Sequence, residues 1–300
     1  MRFSIVITCH NQQEFIKDAV DSALSVREEE TEIIVVDDAS TDRSQDILRR
    51  YGHAIRLLCL ETNRGACVAR NCGASMATGE YLVFLDGDDA SLPWALDVYK
   101  RIIQVKNPKM ILGHMLWFRG ALPELHPADR PHAIRFVDYE DYMGKDRPFV
   151  NSASALVIQR CAFQGVQGWP EELFPMEDQD LTIRLGDSGR TIQILSPATT
   201  LHRAHAGNTV NHVPPFLSAV YQLLERERSG QYPGGQNRRF ERYGLIGGLI
   251  FFWAKRAVKC GLYWEAAKLF ARGWPMVFAA VARRFDVLLT GRRRCETIAV

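Results

Sequence analysis

Four short, nearly uninterrupted apolar runs constrain this chain more than any other feature: FSIVIT (3–8), EIIVVDD (32–38), IRLLCL (55–60) and EYLVFLD (80–86). Runs of this length without polar alternation suit strands buried on both faces, as in a parallel sheet covered by helices. Between them EFIKDAVDSAL, SQDILRRY and GACVARNCGASMA carry apolar residues at helical spacing. Strand and helix alternating in this order predict an open α/β sheet with right-handed crossovers. With 300 residues, 47% of them hydrophobic, the chain can bury a large core, so one principal domain with an appendage is expected.

Ligands of such sheets bind beyond the carboxyl ends of the strands, where this sequence concentrates polar residues. The first run ends in Thr8-Cys9-His10-Asn11, the second in Asp37-Asp38-Ala39-Ser40-Thr41-Asp42, the fourth in Asp86-Gly87-Asp88-Asp89. Each has a plainer reading alone, Ser40 as a helix N-cap and Asp-Gly as a turn. Together, carboxylates on one rim repel each other unless a cation or a donor-rich ligand compensates. The turn TCHNQQEF holds no GxGxxG and the chain no GxxxxGK[ST], so phosphates would have to be held through a metal. Asp86-x-Asp88 offers hard oxygen ligands to Mg²⁺ or Mn²⁺, ions that keep coordination positions for substrate phosphates.

FSIVITCHNQQEFIKDAVDSAL, EIIVVDDASTD, NRGACVARNCGASMATGEYLVFLDGDD and the later MEDQDLTIRL resemble, in order and spacing, family 2 glycosyltransferases of the GT-A fold. The resemblance implies a Rossmann-like GT-A sheet and an inverting, Mn²⁺- or Mg²⁺-dependent enzyme. It would move a sugar from a nucleotide diphosphate, expected to be UDP, to a glycan or lipid-linked acceptor in bacterial-type cell-envelope or exopolysaccharide synthesis. Carried over by residue, it implies that Thr8, Asp37 and Asp38 contact the base and ribose and that Arg70 lies near the nucleotide. Asp86 would face the ribose or a metal-bound water, and Asp88 would ligate the metal. A carboxylate can accept from a uracil N–H, and an arginine can neutralise phosphate oxygens. Family members often place proline and tyrosine before the first-strand asparagine; Cys9-His10-Asn11 stands here, so the floor of the base pocket is expected to differ.

The stretch from Ser152 to Gly189 reads as a strand over 153–159, a short helix, a loop with Gly168-Trp169 and a helix starting at Glu177. By the resemblance Asp178 is the catalytic base and Glu177 its neighbour. Taken alone, EDQD could simply place acids at a helix start to complement the macrodipole; its position downstream of a matched donor half favours catalysis. A positioned base contributes roughly 10² to 10⁴-fold, and one base without an enzyme nucleophile means inversion. LHRAHAGNTVNH (201–212) resembles the family's RxHxGN segment, which makes His205 a candidate metal ligand and Arg203 a candidate diphosphate contact, with His202 a weaker candidate. His10, His53, His114, His126 and His132 have no partner at ligand spacing and read as structural, Trp94 and Trp169 read as core, and residues 118–136 read as a loop.

Beyond residue 235 the resemblance ends and the charge changes. Residues 236–300 hold 13 Lys and Arg against 4 Asp and Glu, a net of +9, with eleven aromatics. The expected division is a catalytic domain over 1–235, with a nucleotide-sugar half (1–118) and an acceptor half (119–235), and a C-terminal helical extension over 236–300 read as three helices. Two interpretations of the extension compete, a cap on the domain and a membrane-surface element whose cations meet anionic headgroups; no recognition motif points to nucleic acid. Seven cysteines without a CxxC pair argue against a disulfide framework or a zinc site, and no signal-like segment or membrane span is evident. The protein is expected in the cytoplasm, on the inner face of the membrane if the extension engages lipid. Two rivals are weighed. A sugar-nucleotide pyrophosphorylase would need a glycine-rich N-terminal loop with a basic residue, which TCHNQQEF lacks. A non-catalytic sugar-nucleotide-binding or membrane scaffold would have no chemical need of Asp86, Asp88 and Asp178 together.

Overall fold

The computed structural model describes residues 1–126, 129–140, 142–143, 152–187, 189–290 and 295–300, with only the backbone course for 285–290. The elements run β1 (Phe3–Cys9), α1 (Ile16–Ser25), β2 (Thr31–Asp37), α2 (Ser44–Arg49), β3 (Arg56–Cys59), α3 (Ala66–Met76) and β4 (Tyr81–Asp86). Next come β5 (Ala90–Ser91), α4 (Ala95–Lys106), β6 (Met110–Leu112), β7 (Met115–Phe118), β8 (Ala133–Tyr139), β9 (Leu156–Gln159), α5 (Arg160–Gly165) and α6 (Glu177–Leu185). The chain ends with β10 (Thr191–Ser196), β11 (Thr200–Arg203), α7 (Val213–Arg228), α8 (Arg239–Lys259), α9 (Tyr263–Thr290) and β12 (Cys295–Ala299).

The four apolar runs form the parallel strands β1 to β4; β1, β2 and β4 are buried as their uninterrupted hydrophobicity predicts, whereas β3 is the sheet's edge strand and is only partly covered. They sit in a nine-stranded sheet of order β12-β8-β10-β6-β9-β4-β1-β2-β3. Because the chain builds outward from β1 through β2 to β3 and then returns to the other side of β1 for β4, strand order reverses there. That is the place where open α/β sheets bind ligands. Register sets Thr8 opposite Asp86 and Cys9 opposite Asp37. A three-stranded sheet, β5-β11-β7, lies downstream of β4.

One core cluster lies under α1 and α4, with Ile5, Ile7, Val20 and Ile102. A second covers the opposite face through α3, Trp169 and α6, with Val6, Phe84 and Leu181. A third joins α6 and α7 to α8 and α9, so residues on both sides of position 235 share one interior. A buried bidentate pair, Arg242 to Glu227 at 2.6 and 3.0 Å, ties α8 to α7.

Three local expectations are corrected. Residues 118–136 are not all loop: β8 begins at Ala133, because Ile134 and Phe136 alternate inward toward the core. The extension holds two long helices rather than three, since α9 continues through Pro275 where a break was expected. Tight helix packing overrides the proline there: a Cβ on Gly247 would stand 1.9 Å from the Met276 carbonyl oxygen, and one on Gly273 2.3 Å from Ile250 Cδ1. The extension also ends in an unforeseen strand. β12 pairs antiparallel with β8 at the sheet edge, and Lys106 Nζ bridges Glu296 (2.7 Å) and Asp138 (3.0 Å). No helix among the described residues is long and apolar enough to cross a membrane.

Candidate active site

The rim begins where β1, β2 and β4 end. Asp86, the last residue of β4, is fixed by a backbone hydrogen bond to Ser154 Oγ (3.0 Å). Gly87 follows because its backbone passes too close for a side chain: a Cβ would lie 2.2 Å from Gln12 Oε1 and 2.8 Å from the Thr8 carbonyl. Its N–H donates to that Thr8 carbonyl at 2.9 Å, which turns the chain and separates the next two carboxylates. Asp89 is fully buried and accepts from the Arg203 backbone N–H (3.0 Å) and pairs with His202 Nδ1 (2.9 Å). Burial opposes the charge on His202, yet its hydrogen bond to Asp89 and the neighbouring carboxylates hold its pKa above the ordinary value.

Asp88 meets His205 Nε2 at 2.9 Å. The Gly207 N–H donates to Nδ1 of the same ring (3.2 Å), which orients the imidazole with Nε2 toward Asp88. Burial, with Asp89 and Asp86 nearby, pushes the Asp88 carboxyl up to about 6. Among the described residues no group of three or more His, Cys, Asp and Glu converges on a metal position. The donor chemistry nonetheless fits a hard divalent cation that takes its remaining ligands from phosphates. Asp86 and Asp89 already have cationic or N–H partners, whereas Asp88 carries an excess of negative surroundings that a cation would relieve.

Arg70 joins the donor rim to the second half of the chain. Its buried guanidinium donates to Asp86 Oδ1 (2.7 Å) and to Glu177 Oε1 (2.9 Å) and lies 4.9 Å over the ring of Trp169. Burial works against its charge, but Asp86 and Glu177 outweigh it, so Arg70 stays ionised. In return Arg70 overcomes burial to keep the Asp86 carboxyl below its usual range. Glu177 is raised because its burial exceeds the help from Arg70. Asp178, one residue further into α6, is raised well above the ordinary carboxyl value, first by burial and then by the charge of Glu177. Its Oδ1 accepts the Gln179 N–H at 2.7 Å. Arg70 Nε, Glu177 Oε2 and Trp169 Nε1 are buried without a hydrogen-bond partner.

Several candidate residues make hydrogen bonds within the protein. The Arg203 guanidinium, expected at the diphosphate, donates to the Asp88 carbonyl (3.0 Å), to Asp18 (2.7 Å) and to the Gly120 carbonyl. It packs between Phe15 and Phe118, 5.0 and 4.6 Å from their ring centres, and is buried. Asp38 spends both oxygens on the N–H groups of Arg64 (2.8 Å) and Gly65 (2.7 Å), shaping the loop before α3. Asp37 accepts from the Ser40 N–H and Gln45 through Oδ1, while its buried Oδ2 has no partner. Thr8 lies at the floor between Asp86 and the end of β2.

His10, read as structural without a partner, links Asp38 O (2.7 Å) to Asn63 (3.0 Å) and so connects the end of β1 to that loop. Sequence reasoning did not single out Asp18, nor Asp180, which accepts from Arg184 (2.6 Å), Arg226 (3.0 Å) and Tyr232 (2.8 Å) and braces α6; no spacing distinguishes either from a surface acid. Trp94 and Trp169 are core residues as expected, and burial pushes the Cys9 and Cys67 thiols up to about 12, which keeps them inert.

Comparison with known proteins agrees with this architecture. TuaG of Bacillus subtilis (strain 168), named for teichuronic acid biosynthesis, is 42% identical over 142 residues, covering 46% of this chain and 55% of its own. WfaP of Escherichia coli, a UDP-Glc:alpha-D-GlcNAc-diphosphoundecaprenol beta-1,3-glucosyltransferase, is 42% identical over 88 residues, 29% of this chain and 35% of its own. This chain thus spans about half or less of these two relatives. The uncharacterized glycosyltransferase RP339 of Rickettsia prowazekii (strain Madrid E) is 39% identical over 233 residues, covering 75% of this chain and 69% of its own. Among solved structures, S. aureus TarS 1-349 in complex with UDP superposes with a TM-score of 0.62 at 19% identity, over 83% of this chain and 71% of that one, a likeness of GT-A fold. The family model for "Glycosyl transferase family 2" matches residues 4–163, more than half of the chain, and the chain belongs to that family.

Proposed function

We propose that this chain transfers a sugar from a UDP-sugar, with inversion, to a hydroxyl of a glycan or lipid-linked acceptor in cell-envelope polysaccharide synthesis. The observation that carries the reading is the Arg70 bridge, which holds the donor-rim carboxylate Asp86 and the acid-headed helix α6 in one cluster. Thr8 and Asp37 face the nucleotide, and Asp38 acts by holding the 63–65 loop against it. Asp88 and His205 would hold Mn²⁺ or Mg²⁺, and the bound ion would supply Lewis-acid stabilisation to the departing diphosphate.

Asp178 takes the proton from the acceptor hydroxyl as the oxygen attacks the anomeric carbon. Its raised proton affinity suits a base working near neutrality. Glu177 supplies part of that rise, and Arg70 keeps Glu177 in place. Arg203 positions Asp88 through the Asp88 carbonyl and anchors the strand that carries the His205 loop. UDP is favoured by the TarS complex and by the name of WfaP, and an envelope acceptor by the names of TuaG and WfaP. In this reading residues 1–118 hold the donor, 119–235 the acceptor, and 236–300 places the enzyme at the cytoplasmic membrane face.

The test is binding and slow hydrolysis across UDP-, GDP- and dTDP-sugars with and without Mn²⁺. The expected result is one donor bound only with metal, binding lost in Asp88→Ala, and binding retained but turnover lost in Asp178→Asn. Absence of binding by every donor under every metal condition would overturn the reading and favour a scaffold.

A further inference from the structure

The solvent side of α9 is apolar where a surface helix should be polar. Tyr263, Trp264, Phe270, Trp274, Phe278 and Val281 are all exposed, with Trp264 at 71%, Trp274 at 61% and Phe278 at 68%. At about 100° per residue they fall within an arc of about 120°, and positions 267 and 271 inside that arc are alanines. By position, the helix's charged residues, Glu265, Lys268, Arg272, Arg283, Arg284 and Asp286, lie outside it. The opposite side of the same helix, through Leu269, Met276 and Val277, is packed into the core with α7 and α8. α9 therefore has two apolar faces and only one is covered.

The surroundings of the open face are cationic. At the end of α8, Lys255 and Lys259 are exposed and form no ion pair among the described residues, beside the exposed rings of Phe251 and Phe252. Arg284 lies over the Phe251 ring at 6.0 Å and Lys268 over Trp264 at 5.3 Å, so the cations stand at the edge of the aromatic surface. Residues 236–300 carry a net +9. Apposing two copies of this surface would bring like charges together, whereas an anionic bilayer surface satisfies both parts: rings enter the acyl boundary and cations meet the headgroups. At 28 residues with this charge content, and with no helix among the described residues long and apolar enough to cross a membrane, α9 suits the plane of the interface.

We infer that the exposed face of α9, with the lysine-bearing end of α8, docks in the plane of an anionic phospholipid surface. The inference deepens the proposed function by naming where the acceptor is met, and it rests on that reading only for the acceptor. The third core cluster contains Met176 and Ile183, which flank and belong to the Asp178 helix, so a docked α9 holds that helix at the bilayer surface.

The experiment is flotation of the full chain with phosphatidylcholine vesicles and with vesicles that also contain phosphatidylglycerol. The wild type should float with the second and not the first. The double variants Trp274→Ala/Phe278→Ala and Lys255→Glu/Lys259→Glu should each lose about tenfold or more in partitioning while keeping far-ultraviolet circular dichroism and donor hydrolysis in solution. The inference is overturned if the wild type fails to float with anionic vesicles, or if both variants float like it. It is also overturned if the wild type is a concentration-dependent dimer that Trp274→Ala/Phe278→Ala converts to monomer, which assigns the face to a second copy. Flotation without donor hydrolysis would sink the transferase reading and leave the docking surface standing.

Discussion

Replacing Arg70 by methionine tests the bridge at the centre of the site. Methionine refills most of the volume of the stem, so the change removes charge with little cavity. It leaves Glu177 buried, its side chain 8% exposed, without a cation, whereas Asp86 at 24% has solvent to share the loss. Breaking a buried pair by removing one partner costs about 3–5 kcal/mol, and here most of that falls on Glu177. Unfolding entropy near 2.1 cal/mol/K per residue gives about 0.6 kcal/mol/K for a chain of this length, so the melting temperature should fall by about 5–8 °C at about pH 8.

The loss must also depend on pH. Glu177 already binds its proton more tightly than an ordinary glutamate, and without Arg70 it binds it more tightly still. A carboxyl whose folded pKa exceeds the unfolded value gives stability that is present at low pH and lost as pH rises through the folded pKa. The gap between Arg70→Met and wild type should therefore narrow from about pH 8 to about pH 5. Adding Glu177→Gln should recover part of the loss at the higher pH. Calorimetric melts at both pH values decide it: a fall under about 2 °C, or an equal gap at both, refutes the buried-bridge account.

Asp178→Asn should lower turnover by roughly 10² to 10⁴-fold yet melt above wild type at mildly alkaline pH, because the raised Asp178 carboxyl loses stability as pH rises and the amide does not; an unchanged rate or a lower melting point contradicts this. Asp38→Ala orphans the N–H groups of Arg64 and Gly65, at about 1–3 kcal/mol each, so limited trypsin digestion should cut faster after Arg64; unchanged cleavage would mean the loop is held elsewhere. Gly247→Ala drives a methyl into the Met276 carbonyl and should destabilise by at least about 1–3 kcal/mol, read as a lower melting temperature; a neutral outcome would contradict the close α8–α9 crossing.

Much of the donor half was legible because its signals are local. Uninterrupted apolar runs give the strands β1 to β4, and the acids at their ends mark the rim. The partners of those acids were not legible. Arg70 meets Glu177 across 107 residues and His205 meets Asp88 across 117. Arg203 sits in a recognisable segment, yet its direction of pointing is set by the aromatic slot of Phe15 and Phe118 and by Asp18, which no motif encodes. In the extension, Gly273-Trp274-Pro275 reads as a break, and β12 is too short to announce itself.

What the sequence alone determined is the family, the α/β alternation, the acidic rim and the cationic, aromatic end, since propensity, periodicity and charge are properties of short segments. Only the tertiary structure decided which carboxylates keep a free role and which are spent on bracing, that α9 runs unbroken, and that its aromatic side is left open to solvent. Ion pairing, desolvation and helix crossing depend on residues far apart in the chain meeting at a few ångströms, and no local pattern carries that information.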